Sequence, residues 1–184
     1  MSITIVETFV KQPLTNKQLD AIGQSIFPSV EARDGTWLYS LLSSDHHRMI
    51  CAYDASDAQV LQEAYCSNKF TSSSIWAASL ITPEGSQPQR HPALLTVIEG
   101  TYPPMSEEKI HEASRKTLPC YSEHGIEWIQ SYISSDRTRI ICELNAPDLE
   151  SVRVAQRRLD IPFDRVWSAQ VLSPETCSKP TVQP

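Results

Sequence analysis

"WIQSYISSDRTRIIC", residues 128–142, is a near-copy of "WLYSLLSSDHHRMIC", residues 37–51. The shift of 91 positions that superposes them also brings Trp76 onto Trp167 without a gap, and 13 of the 42 positions from 37 to 78 are then identical. Ordinary residue usage would give roughly two or three matches. The identities include Ser40/Ser131, Asp45/Asp136, Arg48/Arg139 and Cys51/Cys142. The pattern reads as an internal duplication, with domains at 1–82 and 93–173. The segment 83–92, PEGSQPQRHP, reads as a linker, and the tail 174–184 reads as disordered, because both are rich in proline and polar residues.

Each copy shows the same order of periodicities. ITIVETFV (3–10) and LLTVIEGTY (94–102) are β-branched and read as strands. A helix follows in each. Thr15 with Gln18 forms a capping box ahead of Leu19, Ile22, Ile26 and Val30 on one face, and Ser106 precedes the acids Glu107 and Glu108. The SSD stretches then predict hairpins of 36–43 with 47–54 and of 127–134 with 138–145, since Ser and Asp hydrogen-bond their own turn. Second helices are expected at about 57–67 and 148–159, and a closing strand carries Trp76 or Trp167. Strand-helix-strand-strand-helix-strand is the ferredoxin-like unit, whose sheet has one face bare of helices. Alternation in the second strand places Trp37, Tyr39 and Leu41 on one side and Leu38, Ser40 and Leu42 on the other, so neither side is fully polar. The expected fold is α+β: two tandem ferredoxin-like repeats packed sheet to sheet, a fused pseudo-dimer of the α+β-barrel type.

The segments WIQSYISSDRTRIIC, ELNAPDLESVRVAQ (143–156) and IPFDRVW (161–167) resemble the small bacterial nickel-binding-protein family of ferredoxin-like domains, a domain of unknown function. The resemblance covers nearly all of the second copy and, more weakly, the first, where IPFDRVW is replaced by FTSSSIW (70–76). It implies an α+β domain that pairs, and nickel as a metal that some members bind. It transfers no ligand positions.

Composition excludes several functions. Net charge is −6 with no basic lobe, since residues 3–81 carry 8 acids and 5 bases and residues 94–172 carry 12 and 9, so nucleic acid is not an expected partner. The start MSITIVETFVKQPL is not a secretion signal, and no run of eighteen apolar residues occurs, so a cytoplasmic protein without membrane association is expected. Cys51 and Cys142 sit in apolar strands and read as reduced core thiols. Only 5 glycines are present, with no phosphate-cradling loop or dinucleotide fingerprint.

The candidate site residues lie in the second copy. Where the first offers Leu19, Ile22, Ile26 and Val30 to the sheet, the second offers Ile110, Ala113, Thr117 and Tyr121. A buried hydroxyl without a partner costs roughly 1–3 kcal/mol. Thr117 and Tyr121, with Trp128, therefore mark either a ligand cavity between helix and sheet or a core whose polar groups are satisfied by protein. Glu99, with its counterpart Glu7, is a candidate general base or the partner of a neighbouring arginine, Arg139 or Arg48. His111, Cys120 and His124 are a candidate metal group that would need bending near Pro119, or else surface and helix-end residues. His46 and His47 stand at the SSD turn. Three functions remain. The first is a non-catalytic protein binding a small ligand or a metal ion, with nickel implied by the resemblance. The second is a cofactor-independent enzyme in which Glu99 or His124 moves a proton. The third is a protein-interaction module.

Overall fold

The computed structural model describes residues 3–55, 57–67, 74–84 and 88–174. The expected tail, all but its first residue, and most of FTSSSIW lie outside the described residues. Twelve elements follow in chain order: β1 (Ile3–Phe9), α1 (Asn16–Glu31), β2 (Thr36–Ser43), β3 (Arg48–Asp54), α2 (Ala58–Ser67), β4 (Ser74–Ile81), β5 (Leu95–Thr101), α3 (Glu107–Glu123), β6 (Glu127–Ser134), β7 (Arg139–Asn145), α4 (Leu149–Arg158) and β8 (Arg165–Leu172). No described helix is long and apolar enough to cross a membrane.

The strand order corrects the expected fold class. The eight strands run β1-β3-β2-β8-β5-β7-β6-β4 and close on themselves as one barrel, rather than forming two tandem ferredoxin-like repeats packed sheet to sheet. A face-to-face pair would have left the outer strands of each sheet with unpaired N–H and C=O groups, and closure removes such edges. Bare faces show in side-chain patterns, whereas bare edges are a property of the backbone and leave no such mark.

Contacts divide the chain into two compact units. The first holds the residues up to Ala78 and those from Gln170 on, and the second holds Ser79–Ala169. In the first unit β1 pairs antiparallel with β3 and β4, and β2 with β3. Helix α1 begins with the expected capping box. The Thr15 side chain accepts from the Gln18 N–H, and the Gln18 side chain accepts from the Thr15 N–H at 2.9 Å. Ile22, Ile26 and Val30 of α1 and Leu61, Ala64 and Tyr65 of α2 pack with Val6, Trp37, Cys51 and Tyr53 into a dry core. Phe27 stacks on Trp37 with ring centroids 3.8 Å apart. Gly35 is required for the close approach of α1 to the start of β2, because a Cβ there would lie 2.6 Å from Val30 Cγ1.

In the second unit β5 pairs with β7 and β8, and β6 with β7. Ser106 caps α3 by accepting from the Lys109 N–H, and Asp148 caps α4 by accepting from the Ser151 N–H. Both units carry a register shift at the same place, between Trp37 and Tyr39 and between Trp128 and Gln130. Such a bulge resets the alternation of the strand. Trp37 therefore shares a side with Leu42 in the core and with Ser40, to which its indole N–H donates at 3.0 Å, and not with Tyr39 and Leu41 as strict alternation predicts.

The SSD turns are built as expected. Ser43 and Ser134 donate to Asp45 and Asp136, and accept from the N–H of Arg48 and Arg139. His46 and His47 serve the loop between β1 and α1, donating from Nδ1 to the carbonyls of Leu14 and Val10 at 2.9 Å each. The expected linker is tied to the second unit at its far end. Arg90 forks onto the carboxylate of Glu143 at 2.6 and 3.3 Å, and Asn145 accepts from the His91 N–H and donates to Gln89 O.

Candidate functional site

The second unit contains a cavity of about 280 Å³ between its helices and sheet. Small-molecule sites span roughly 300–1,000 Å³, so this one suits a compact ligand. Its floor comes from alternate residues of three strands: Ile98 and Gly100 of β5, Ser131 and Ile133 of β6, and Ile140 and Cys142 of β7. Trp128 joins them because of the bulge that follows it. The roof is α3, through Ile110, Ala113, Ser114, Thr117 and Tyr121, together with Gln156 of α4. Tyr102 folds back across Gly100, where a Cβ would lie 2.3 Å from its hydroxyl, and donates to Pro162 O at 2.8 Å.

The comparison with the first unit shows why the space is open. Positions 113 and 117 are Ala and Thr, where positions 22 and 26 are isoleucines that are buried in the core. Tyr65, the counterpart of Gln156, closes the same region in the first unit by a hydroxyl contact of 3.0 Å with Tyr53, and the counterpart of Tyr53 is Leu144. Two large side chains and a tyrosine pair are thus replaced by smaller groups and one amide.

Most polar groups on the walls are engaged. Ser114 donates to Ile110 O at 2.9 Å, and Ser131 accepts from the Trp128 indole at 2.8 Å. Gln156 holds a buried group that is not. It is 4% exposed and donates from Nε2 to the Tyr121 hydroxyl at 2.5 Å, while its Oε1 is, among the described residues, a buried side-chain atom with no hydrogen-bond partner. Leaving such an acceptor unmet costs about 1–3 kcal/mol.

The walls hold their ionisable groups neutral. Burial raises Tyr121 and Tyr102 above the ordinary tyrosine range, and it pushes the Cys142 thiol up to about 11 despite the hydrogen bond from Ser131. Cys142 retains some exposure because it faces the cavity. The sign of the pH effect follows. The stability that comes from keeping this thiol protonated is intact below pH 9. It is lost as pH rises towards about 11, where the unfolded chain ionises first. The melting temperature is expected to fall over this window, and Cys142→Ala to lessen the fall without abolishing it, because the buried tyrosines, whose unfolded counterparts ionise from about pH 10, act in the same direction within its upper half.

Of the residues singled out by sequence, Thr117, Tyr121 and Trp128 line the cavity together. Glu99 does not. It lies between Ile98 and Gly100 on β5, so its side chain points to the opposite face of the sheet, where it accepts from the Trp167 indole at 2.6 Å. Its counterpart Glu7 accepts from Trp76 at 2.7 Å and pairs with Arg48 at 3.1 Å. His124 caps the end of α3 outside the cavity, its Nδ1 2.8 Å from Cys120 O and 3.9 Å from Cys120 Sγ. His111 is exposed on α3, and among the described residues no three His, Cys, Asp or Glu side chains form a group able to hold a metal. Sequence reasoning missed Gln156 and Tyr102. The signal for Gln156 was a polar side chain at a buried helix position whose counterpart 91 residues earlier is Tyr65.

Residues 97–168 match the model of a family described as nickel responsive protein SCO4226-like, and this stretch includes every lining residue except Ile81. No curated protein matches the chain. Among solved structures, TA0507, provisionally described as a chlorite dismutase, is 9% identical over 94% of this chain and 96% of its own, with a TM-score of 0.51. An anthrone oxidase-like protein is 11% identical over 94% and 90%, with a TM-score of 0.48. SCO4226 from Streptomyces coelicolor A3(2) is 15% identical over 40% of this chain and 93% of its own, with a TM-score of 0.38. TA0507 shares the fold, and at this identity the likeness extends no further.

Proposed function

We propose that the protein is a non-catalytic binder of a small, neutral, mainly apolar molecule, held in the cavity of the second unit. The unmet acceptor of Gln156 on a mainly apolar wall carries this reading, since a filled core would have no use for it. The same walls that keep Cys142 and Tyr121 protonated would penalise a charged ligand. The match to the nickel-responsive family supports a binding role, but the donor set does not fit nickel. Among the described residues no third ligand joins Cys120 and His124, and the helix carbonyl of Cys120 already engages His124 Nδ1. Neither Glu99 nor His124 is among the residues that line the cavity, which favours binding over proton transfer by these two groups. Isothermal titration of the full chain with naphthalene and with 2-naphthoate tests the proposal. Naphthalene is expected to bind at roughly 10–100 µM and the carboxylate at least about tenfold more weakly. No heat and no thermal stabilisation by naphthalene would refute it.

A further inference from the structure

The cavity's polar groups specify more than a neutral ligand. Gln156 donates from Nε2 to Tyr121 Oη, and a hydroxyl that has accepted one hydrogen bond still has its own proton to give. Gln156 Oε1, on the same amide, has no donor. Both residues line the cavity, so one donor and one acceptor stand side by side at its edge. In the first unit Val30 and Tyr65 occupy the corresponding positions. Val30 is apolar, and the Tyr65 hydroxyl is paired with Tyr53. The donor–acceptor pair is thus a feature of the unit that has the cavity.

Resting on the ligand-binding reading above, we infer that the natural ligand carries a neutral hydroxyl that donates to Gln156 Oε1 and accepts from Tyr121 Oη. A single hydroxyl closes the ring: Gln156 Nε2–H to Tyr121 Oη, Tyr121 O–H to the ligand oxygen, and ligand O–H back to Gln156 Oε1. Each member both gives and receives, so the bonds polarise one another in the same sense. A carboxylate would lack the proton and carry a charge that these walls disfavour, and an ether would lack the proton. The class indicated is a compact phenol or alcohol on an apolar skeleton.

The test uses the full chain and three probes of similar size: naphthalene, 2-naphthol and 2-methoxynaphthalene. 2-Naphthol is expected to bind about ten- to a hundredfold more tightly than its methyl ether. Gln156→Leu should remove that preference, read as the ratio of the two affinities within the same variant, and Tyr121→Phe should weaken it should the leucine variant not fold. If naphthalene binds but the wild type treats the phenol and the ether alike, or if the preference survives in both variants, the hydroxyl assignment is overturned and the binding reading stands. If none of the three binds, both are overturned.

Discussion

Replacing Ala113 and Thr117 by isoleucine together is expected to lower affinity for naphthalene by at least about a hundredfold while raising the melting temperature. The residues are chosen from the protein itself, since Ile22 and Ile26 hold the corresponding places on α1 and are buried against β-strand partners. The added methyl and methylene groups would fill the space beneath α3, and filling a void of this kind recovers contacts that its lining lacks, here about 2 kcal/mol. Binding and stability would move in opposite directions. Isothermal titration and thermal melting of the double variant measure both. A variant that is more stable yet still binds naphthalene at full strength would show that the ligand sits elsewhere.

The second large effect is expected at Arg90→Ala. Glu143 is fully buried, and its carboxylate is held by Arg90 and by the Gln130 amide at 2.9 Å. Removing the arginine strands a charge inside the protein, and breaking a buried pair from one side costs about 3–5 kcal/mol. Because the arginine side chain is 30% exposed and Gln130 remains, the lower end applies, about 3 kcal/mol. For a chain of this size that lowers the melting temperature by roughly 6–12 °C. Adding Glu143→Gln to the arginine variant should restore part of the loss, as no stranded charge remains. Chemical denaturation of the two variants checks the result, and a single variant as stable as the wild type would contradict it.

These two predictions draw on features that the sequence disclosed unevenly. The order of strands and helices was legible because each element shows its own period: β-branched alternation in ITIVETF, spacing of three and four in Leu19, Ile22 and Ile26, and Ser and Asp at the turns. The cavity was legible in outline, since Thr117 and Tyr121 break the apolar face that α1 keeps. Barrel closure was not, because it satisfies backbone edges and no side chain advertises it. The bulges after Trp37 and Trp128 were hidden for the same reason, and they decide which strand residues meet the helices. Glu99 lies one residue from Ile98 and Gly100, which line the cavity, and it points the other way; a period-two pattern read without its partners does not tell which face holds the cavity. The tie from Arg90 to Glu143 joins residues 53 positions apart, and local patterns do not reach that far.

The four tryptophans occupy three kinds of surroundings. Trp76 and Trp167 each donate to a carboxylate, and Trp37 lies flat against Phe27. Trp128 alone borders the cavity. The molecule thus carries one optical reporter among three references: when an occupant enters, a change in ultraviolet emission should arise from that single indole, so occupancy can be followed by light without attaching a dye.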